Sequence, residues 1–198
     1  MPYAKVHIEM NHIRTLVAIG AIAWASTAGA ISIDVYALNN SASGGTGANV
    51  FNLAAGQGFS LSVSPTDLWS AGGLPRWSNA DGLIADLFAT GSDESGQAAG
   101  VKIGQNFGTY TKSGLTAPYG ALVGRIGAGD FFLVGTSYNG VAANSGMLQL
   151  FYWDENNFDN SQQVAVTVNA VSSVPDGGTT MALLGLGLVS VSAIRRRI

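Results

Sequence analysis

Six oxygen-bearing side chains, Asp154, Glu155, Asn156, Asn157, Asp159 and Asn160, crowd seven consecutive positions of this 198-residue chain. Carboxylates and amides on one flexible loop are hard ligands, and Ca2+ takes six to eight oxygens from such groups and from backbone carbonyls. Asp154, Asn156, Asp159 and Asn160 are the candidate metal ligands. The stretch is not an EF-hand, because the Asp-x-Asp-x-Asp-Gly order and the distal Glu are missing. Two readings are therefore open: a calcium loop, or a solvated hairpin loop between two strands. Paired carboxylates about 5 to 9 Å apart also serve glycoside hydrolysis. Asp81, Asp86, Asp154 and Asp159 could supply such a pair, but no spacing singles one out, and no catalytic residue is assigned.

Other chemistries are excluded by composition. Cysteine is absent, and both histidines, His7 and His12, lie near the N-terminus. The body of the chain therefore has no cysteine nucleophile, histidine triad or conventional zinc site, and no disulfide to support it outside a cell. Residues 31–175 hold ten acidic side chains against four basic ones, Arg76, Lys102, Lys112 and Arg125, for a formal charge of −6. Nothing there forms a basic patch for phosphates, which argues against a nucleic-acid partner.

The elements that must position the oxygen-rich loop read as short strands. Residues 31–38 begin with partial alternation and suit an edge strand; residues 39–47, NNSASGGTG, form a flexible loop too polar and glycine-rich to pack. Phe59, Leu61 and Val63 alternate with Ser60, Ser62 and Ser64, the pattern of a half-buried strand. With residues 50–54 and the turn at 55–58 this strand predicts a hairpin. Residues 100–110, 121–126, 131–135, 147–153 and 164–168 continue the series. Residues 81–88 allow two helical turns at most. Trp69 and Trp77 could pack in a core or stack on a sugar ring. Arg125, among apolar residues, could pair with an acid or snorkel. The sum is an all-β fold, a small jelly-roll-like β-sandwich over residues 48–170.

Both ends carry appendages. Residues 1–30 place Lys5 and Arg14 before an apolar run and end in Ala28-Gly29-Ala30, the layout of a secretory signal peptide with its short helix. Read from Met10, the segment is a cleaner signal of about twenty residues. At residues 174–198, Val174-Pro175-Asp176-Gly177-Gly178 precedes fourteen uncharged residues, 181–194, and then Arg195, Arg196 and Arg197. Fourteen helical residues rise about 21 Å, short for a bilayer core without help from flanking residues. As a weak anchor this segment would keep the arginines on the cytoplasmic side and the body outside; the composition alone also allows a buried terminal helix.

Those three parts, in that order, resemble the C-terminal sorting signal of PEP-CTERM proteins in its VPD-type variant, with Asp176 where the commonest form has Glu. The resemblance implies a transient inner-membrane anchor formed by the C-terminal helix and cleavage by an exosortase, a membrane-embedded protease-transpeptidase. It also implies a Gram-negative host that makes exopolysaccharide, and a destination at the cell surface or in the extracellular matrix.

The body resembles the LecA-type galactose-binding lectin domain, a jelly roll that binds sugar through a bridging calcium. The resemblance runs from about Ala48 to Val168 through Ala55-Gly56-Gln57, Leu68-Trp69-Ser70, Tyr119 to Gly127 and the loop from Asp154 to Ser161. It implies that Asp154 meets both calcium and sugar hydroxyls, with the family's paired Asn residues falling on Asp159 and Asn160. The chain also departs from the pattern. Ala71-Gly72-Gly73 stands where the family has an aromatic residue whose carbonyl helps hold calcium. The loop is shorter, its Thr ligand has no counterpart, and the region facing it, residues 78–97, has no histidine. The expected function is an exported, non-catalytic carbohydrate-binding or matrix-associated protein with extracellular polysaccharide as partner. The alternative is a purely structural surface or biofilm protein without a sugar site.

Overall fold

A computed structural model describes residues 29–170. The signal segment, save its last two residues, and the sorting segment lie outside that range. Among the described residues fourteen strands follow one another. β1 is Ile31–Tyr36, β2 Ala48–Leu53, β3 Gly58–Val63, β4 Trp69–Ser70 and β5 Trp77–Ser78. β6 is Leu87–Phe88, β7 Lys102–Gly104, β8 Thr109–Lys112, β9 Leu115–Pro118 and β10 Leu122–Ile126. β11 is Phe131–Leu133, β12 Ser137–Val141, β13 Gly146–Tyr152 and β14 Gln163–Ala170.

Two four-stranded antiparallel sheets carry the body, ordered β1-β14-β3-β12 and β11-β10-β13-β2. Phe59, Leu61 and Val63 of β3 and Val164, Val166 and Val168 of β14 meet Leu148, Leu150 and Tyr152 of β13 in the main core. Each of these strands turns alternate side chains inward, and in β3 and β14 the period-two pattern is readable; β13 also buries Phe151 on its other face. β10 departs from alternation: Leu122 and Val123 are both buried. Leu122 joins the main core, and Val123 lies outside it beneath Ala117, Phe151 and Trp153, where the β8–β9 hairpin covers the sheet. A strand covered on both faces reads as a continuous apolar run.

Several expectations are corrected. Residues 50–63 do not form a hairpin: β2 pairs with β13 and β3 with β12 and β14, so the turn at 54–57 crosses between sheets. No helical turn forms at 81–88. Gly82 has φ +88, outside the helical region, and the Asp81 carboxylate is taken by the Thr136 backbone N–H and hydroxyl at 2.7 and 3.0 Å. Residues 39–47 do connect β1 to β2, yet Asn40, Ser41 and Ala42 within them are buried. Asn40 accounts for this, because its side chain accepts from the Tyr36 N–H and donates to the Thr46 carbonyl, closing the loop on itself. Among the described residues, no helix is long and apolar enough to cross a membrane.

The oxygen-rich segment joins β13 to β14, which lie in different sheets. It is an arch across one end of the sandwich and not a hairpin loop.

Candidate functional site

Three connections meet at that end. The β1–β2 connection lies against the arch through the Ala42 N–H to the Tyr152 carbonyl (2.8 Å) and the Tyr152 N–H to the Asn40 carbonyl (2.9 Å). The β4–β5 turn joins it through two Ser70–Ser161 backbone hydrogen bonds, each 3.0 Å. Residues more than eighty positions apart thus frame the arch, and all four predicted ligands sit on it.

Asp154 follows directly on buried Trp153 and is itself only 4% exposed. Its Oδ1 accepts from the Glu155 N–H at 2.7 Å. Burial raises its pKa to about 6, against the downward pull of the Glu155 and Asn156 N–H groups and the Asn160 side chain; nearby Asp159 adds to the rise. The same carboxylates act on their neighbours. Tyr152 is held well above the usual phenol range by burial first, then by Asp154 and Asp159. Tyr119 is raised by burial, then by Glu155 and Asp154.

Asn160, 5% exposed, donates its Nδ2 to the carbonyls of Ala37 (3.3 Å) and Asn156 (3.2 Å). Spending the amide nitrogen on two carbonyls fixes the side chain, and its Oδ1 is left buried with no donor. Asn156 Oδ1 and Asp159 Oδ1 are in the same state. Among the described residues, three acceptor-only oxygens therefore sit buried and unpartnered on one short arch beside the Asp154 carboxylate. Leaving such an acceptor unsatisfied costs about 1–3 kcal/mol each, and buried polar atoms are otherwise nearly always paired. Acceptors without donors are the arrangement a hard cation compensates, so this donor set fits Ca2+ chemically. Among the described residues, no three His, Cys, Asp or Glu side chains converge as a metal cluster. A cation here would rest on two carboxylates helped by amide and backbone oxygens.

Sequence reasoning passed over Arg76 as a member of this site. Its Nη1 lies 3.5 Å from Asp159 Oδ2 and 3.5 Å from the Ala71 carbonyl, and its guanidinium stacks over Phe107 at 4.8 Å. Gly72 makes the approach of Asp159 possible: with φ +123 it has no side chain where the Asp159 carboxylate sits, and a Cβ there would collide with Oδ2. In the Ala71-Gly72-Gly73 stretch, the Gly72 carbonyl accepts from the Ser70 hydroxyl at 2.5 Å. The Gly-Gly pair ahead of a lone arginine was the available signal. Ser41 was passed over as well; its hydroxyl donates to the Asn156 carbonyl at 3.3 Å.

The remaining candidates fall elsewhere. Trp69 is fully buried; its indole N–H donates to the Gly120 carbonyl at 2.9 Å and its ring meets Tyr152 edge-on at 4.6 Å. It is a core residue. Trp77 packs half-buried on the small cluster of Leu68, Ala89 and Ile103. Asp86 pairs with Lys102 at 2.7 Å. Outside those candidates, Asp93 closes its own loop onto Ser95 and Thr90, and those hydrogen bonds, the Ser95 hydroxyl foremost, lower its pKa. Among the described residues Arg125 pairs with no acid: it bonds Gln149 at 2.9 Å and lies over Phe131 and Phe151.

Residues 173–198 match the VPDSG-CTERM motif, a C-terminal sorting motif. Gly177 stands where the motif's name has serine. No curated protein matches the chain. Among solved structures, one similar to it is an EclA N-terminal domain described as a PllA-like lectin. The two are 22% identical with a TM-score of 0.45, over 71% of this chain and 95% of that one.

Proposed function

We propose that this chain is an exported, non-catalytic carbohydrate-binding protein whose binding end is the arch between β13 and β14. The observation that carries the reading is the trio of buried, donorless oxygens on Asn156, Asp159 and Asn160 beside the Asp154 carboxylate. Asp154, Asn156, Asp159 and Asn160 would hold Ca2+, and bound Ca2+ supplies open coordination positions for sugar hydroxyls. The chain's own contribution is to hold these oxygens in place. The Ala37 and Asn156 carbonyls orient Asn160, and the Glu155 N–H orients Asp154. The sorting motif supports a route through the inner membrane of a Gram-negative cell, processing by an exosortase-type enzyme, and release to a surface or matrix rich in exopolysaccharide.

A specific observation favours a second reading, a structural surface or biofilm protein without a sugar site. Arg76 places a positive charge on Asp159 and on the Ala71 carbonyl, so an arginine already supplies part of the charge that a cation would bring. The two readings separate on immobilised neutral polysaccharide. A carbohydrate-binding chain is retained in calcium and released by chelator. A structural one passes through in both.

A further inference from the structure

Phe158 is 82% exposed, the most exposed large hydrophobic side chain among the described residues. It stands between two residues of the arch that are tied down. The Asn160 N–H closes onto the Asn157 carbonyl at 3.3 Å, which puts Phe158 and Asp159 at the middle of a four-residue turn. On one side the Asn157 amide donates to the Leu38 carbonyl at 3.2 Å and lies against Gly44, where no side chain could stand. On the other side Asp159 meets Arg76 and Asn160 meets Ala37. An exposed phenyl ring adds nothing to the core, and a turn centre ordinarily carries a polar or glycine residue. Here the ring is displayed on an anchored turn, one Cα step of about 3.8 Å from a predicted ligand.

We infer that Phe158 is a specificity-determining platform that stacks on the apolar C–H face of a pyranose ring while the cation held by the neighbouring buried oxygens takes its hydroxyls. This rests on the carbohydrate-binding reading above and adds to it the ligand's chemistry. A hexose presents one ring face of C–H groups and an edge of hydroxyls, matching an aromatic face beside a cation with open coordination positions. Charge narrows the class further. Asp154, Glu155 and Asp159 lie within four positions of Phe158 in a body of formal charge −6, which one bound Ca2+ brings only to −4, and like charges placed together oppose binding. The ligand is therefore a neutral glycan and not a uronic-acid polymer.

The test uses the full-length chain in millimolar calcium. Its migration is followed in native gels containing galactomannan, dextran, mannan or, as the acidic member, hyaluronan, a uronic-acid polymer that calcium does not gel. Wild type is expected to be retarded by at least one neutral polymer and not by hyaluronan. Phe158→Ala should weaken that binding about tenfold, the order expected from losing one buried ring face, while Phe158→Trp keeps it. The calcium-dependent melting temperature should be the same in all three, since the ring takes no part in folding. Retardation of Phe158→Ala equal to wild type overturns the platform and leaves the carbohydrate reading standing. No retardation of wild type by any polymer overturns both. Phe158-dependent sedimentation with phosphatidylcholine vesicles in place of polysaccharide binding would assign the ring to a membrane surface and overturn the proposal.

Discussion

The Arg76 guanidinium lies 3.5 Å from the Asp159 carboxylate across 83 positions of sequence, and it reaches that carboxylate by way of Gly72, whose missing side chain leaves the path open. One carboxylate oxygen thus faces an arginine while the other is buried without a donor. The arch is half neutralised from one side, and its acceptors face inward on the other.

Because both partners are part-exposed, the pair contributes little to stability, about 0–1 kcal/mol. Its larger effect is on cation binding. Arg76→Gln removes a positive charge that competes for Asp159, so calcium affinity by isothermal titration should tighten roughly threefold at low ionic strength, less in high salt. Unchanged or weaker affinity in this variant would show that Arg76 helps to build the site.

Asp154 gives the metal-free chain a pH dependence with a definite sign. Its pKa is raised from the model-peptide 3.8 to about 6, so burial costs nothing below pH 3.8, where folded and unfolded chains both hold the proton. The stability present there is lost as pH rises through about 6, where the unfolded chain has already ionised and the folded one must follow. In chelator, Asp154→Asn should therefore melt higher than wild type at neutral pH, with the gap closing as pH falls toward 4. In calcium the order should reverse. A variant that melts lower than wild type in chelator at neutral pH would mean that the carboxylate is compensated within the protein.

Trp69 separates packing from recognition. Replacing it with Phe removes the indole N–H that serves the Gly120 carbonyl and leaves a void against Tyr152. The expected cost is about 2–4 kcal/mol in chemical denaturation, with glycan affinity per folded molecule unchanged. A loss of affinity without loss of stability would put Trp69 at the ligand.

How far the sequence discloses this protein depends on the range of the interaction. β3 was legible because Phe59, Leu61 and Val63 face one core and the serines between them face out. β14 is legible for the same local reason, whereas β13, covered on both faces at Leu150, Phe151 and Tyr152, reads as a continuous apolar run. The turn at Gly56 looked like a hairpin because a turn signal records a change of direction; whether the flanking strands pair or part into separate sheets is settled by partners far along the chain. The β8–β9 hairpin was missed although Ser113 and Gly114 both have positive φ (48° and 84°), the two-residue turn that such pairs favour. In the arch, residue types alone identified Asp154, Asn156, Asp159 and Asn160 as oxygens that could act together. Their burial was not legible, because the groups that cover and orient them, Ala37, Ser41 and Arg76, lie 83 to 123 positions upstream and reach them through backbone carbonyls, a hydroxyl and a glycine gap.

The most direct test of the account is the thermal unfolding of the full-length chain, with calcium added stepwise and then withdrawn by chelator. If the buried oxygens of Asn156, Asp159 and Asn160 bind Ca2+ with Asp154, saturation at about a hundred times Kd stabilises the fold by about 2.7 kcal/mol. For a body of this size that raises the melting temperature by about 5 °C or more, and chelator should reverse it. A melting temperature indifferent to calcium would contradict the account, leave Arg76 as the cation that Asp159 has, and make the structural reading the right one.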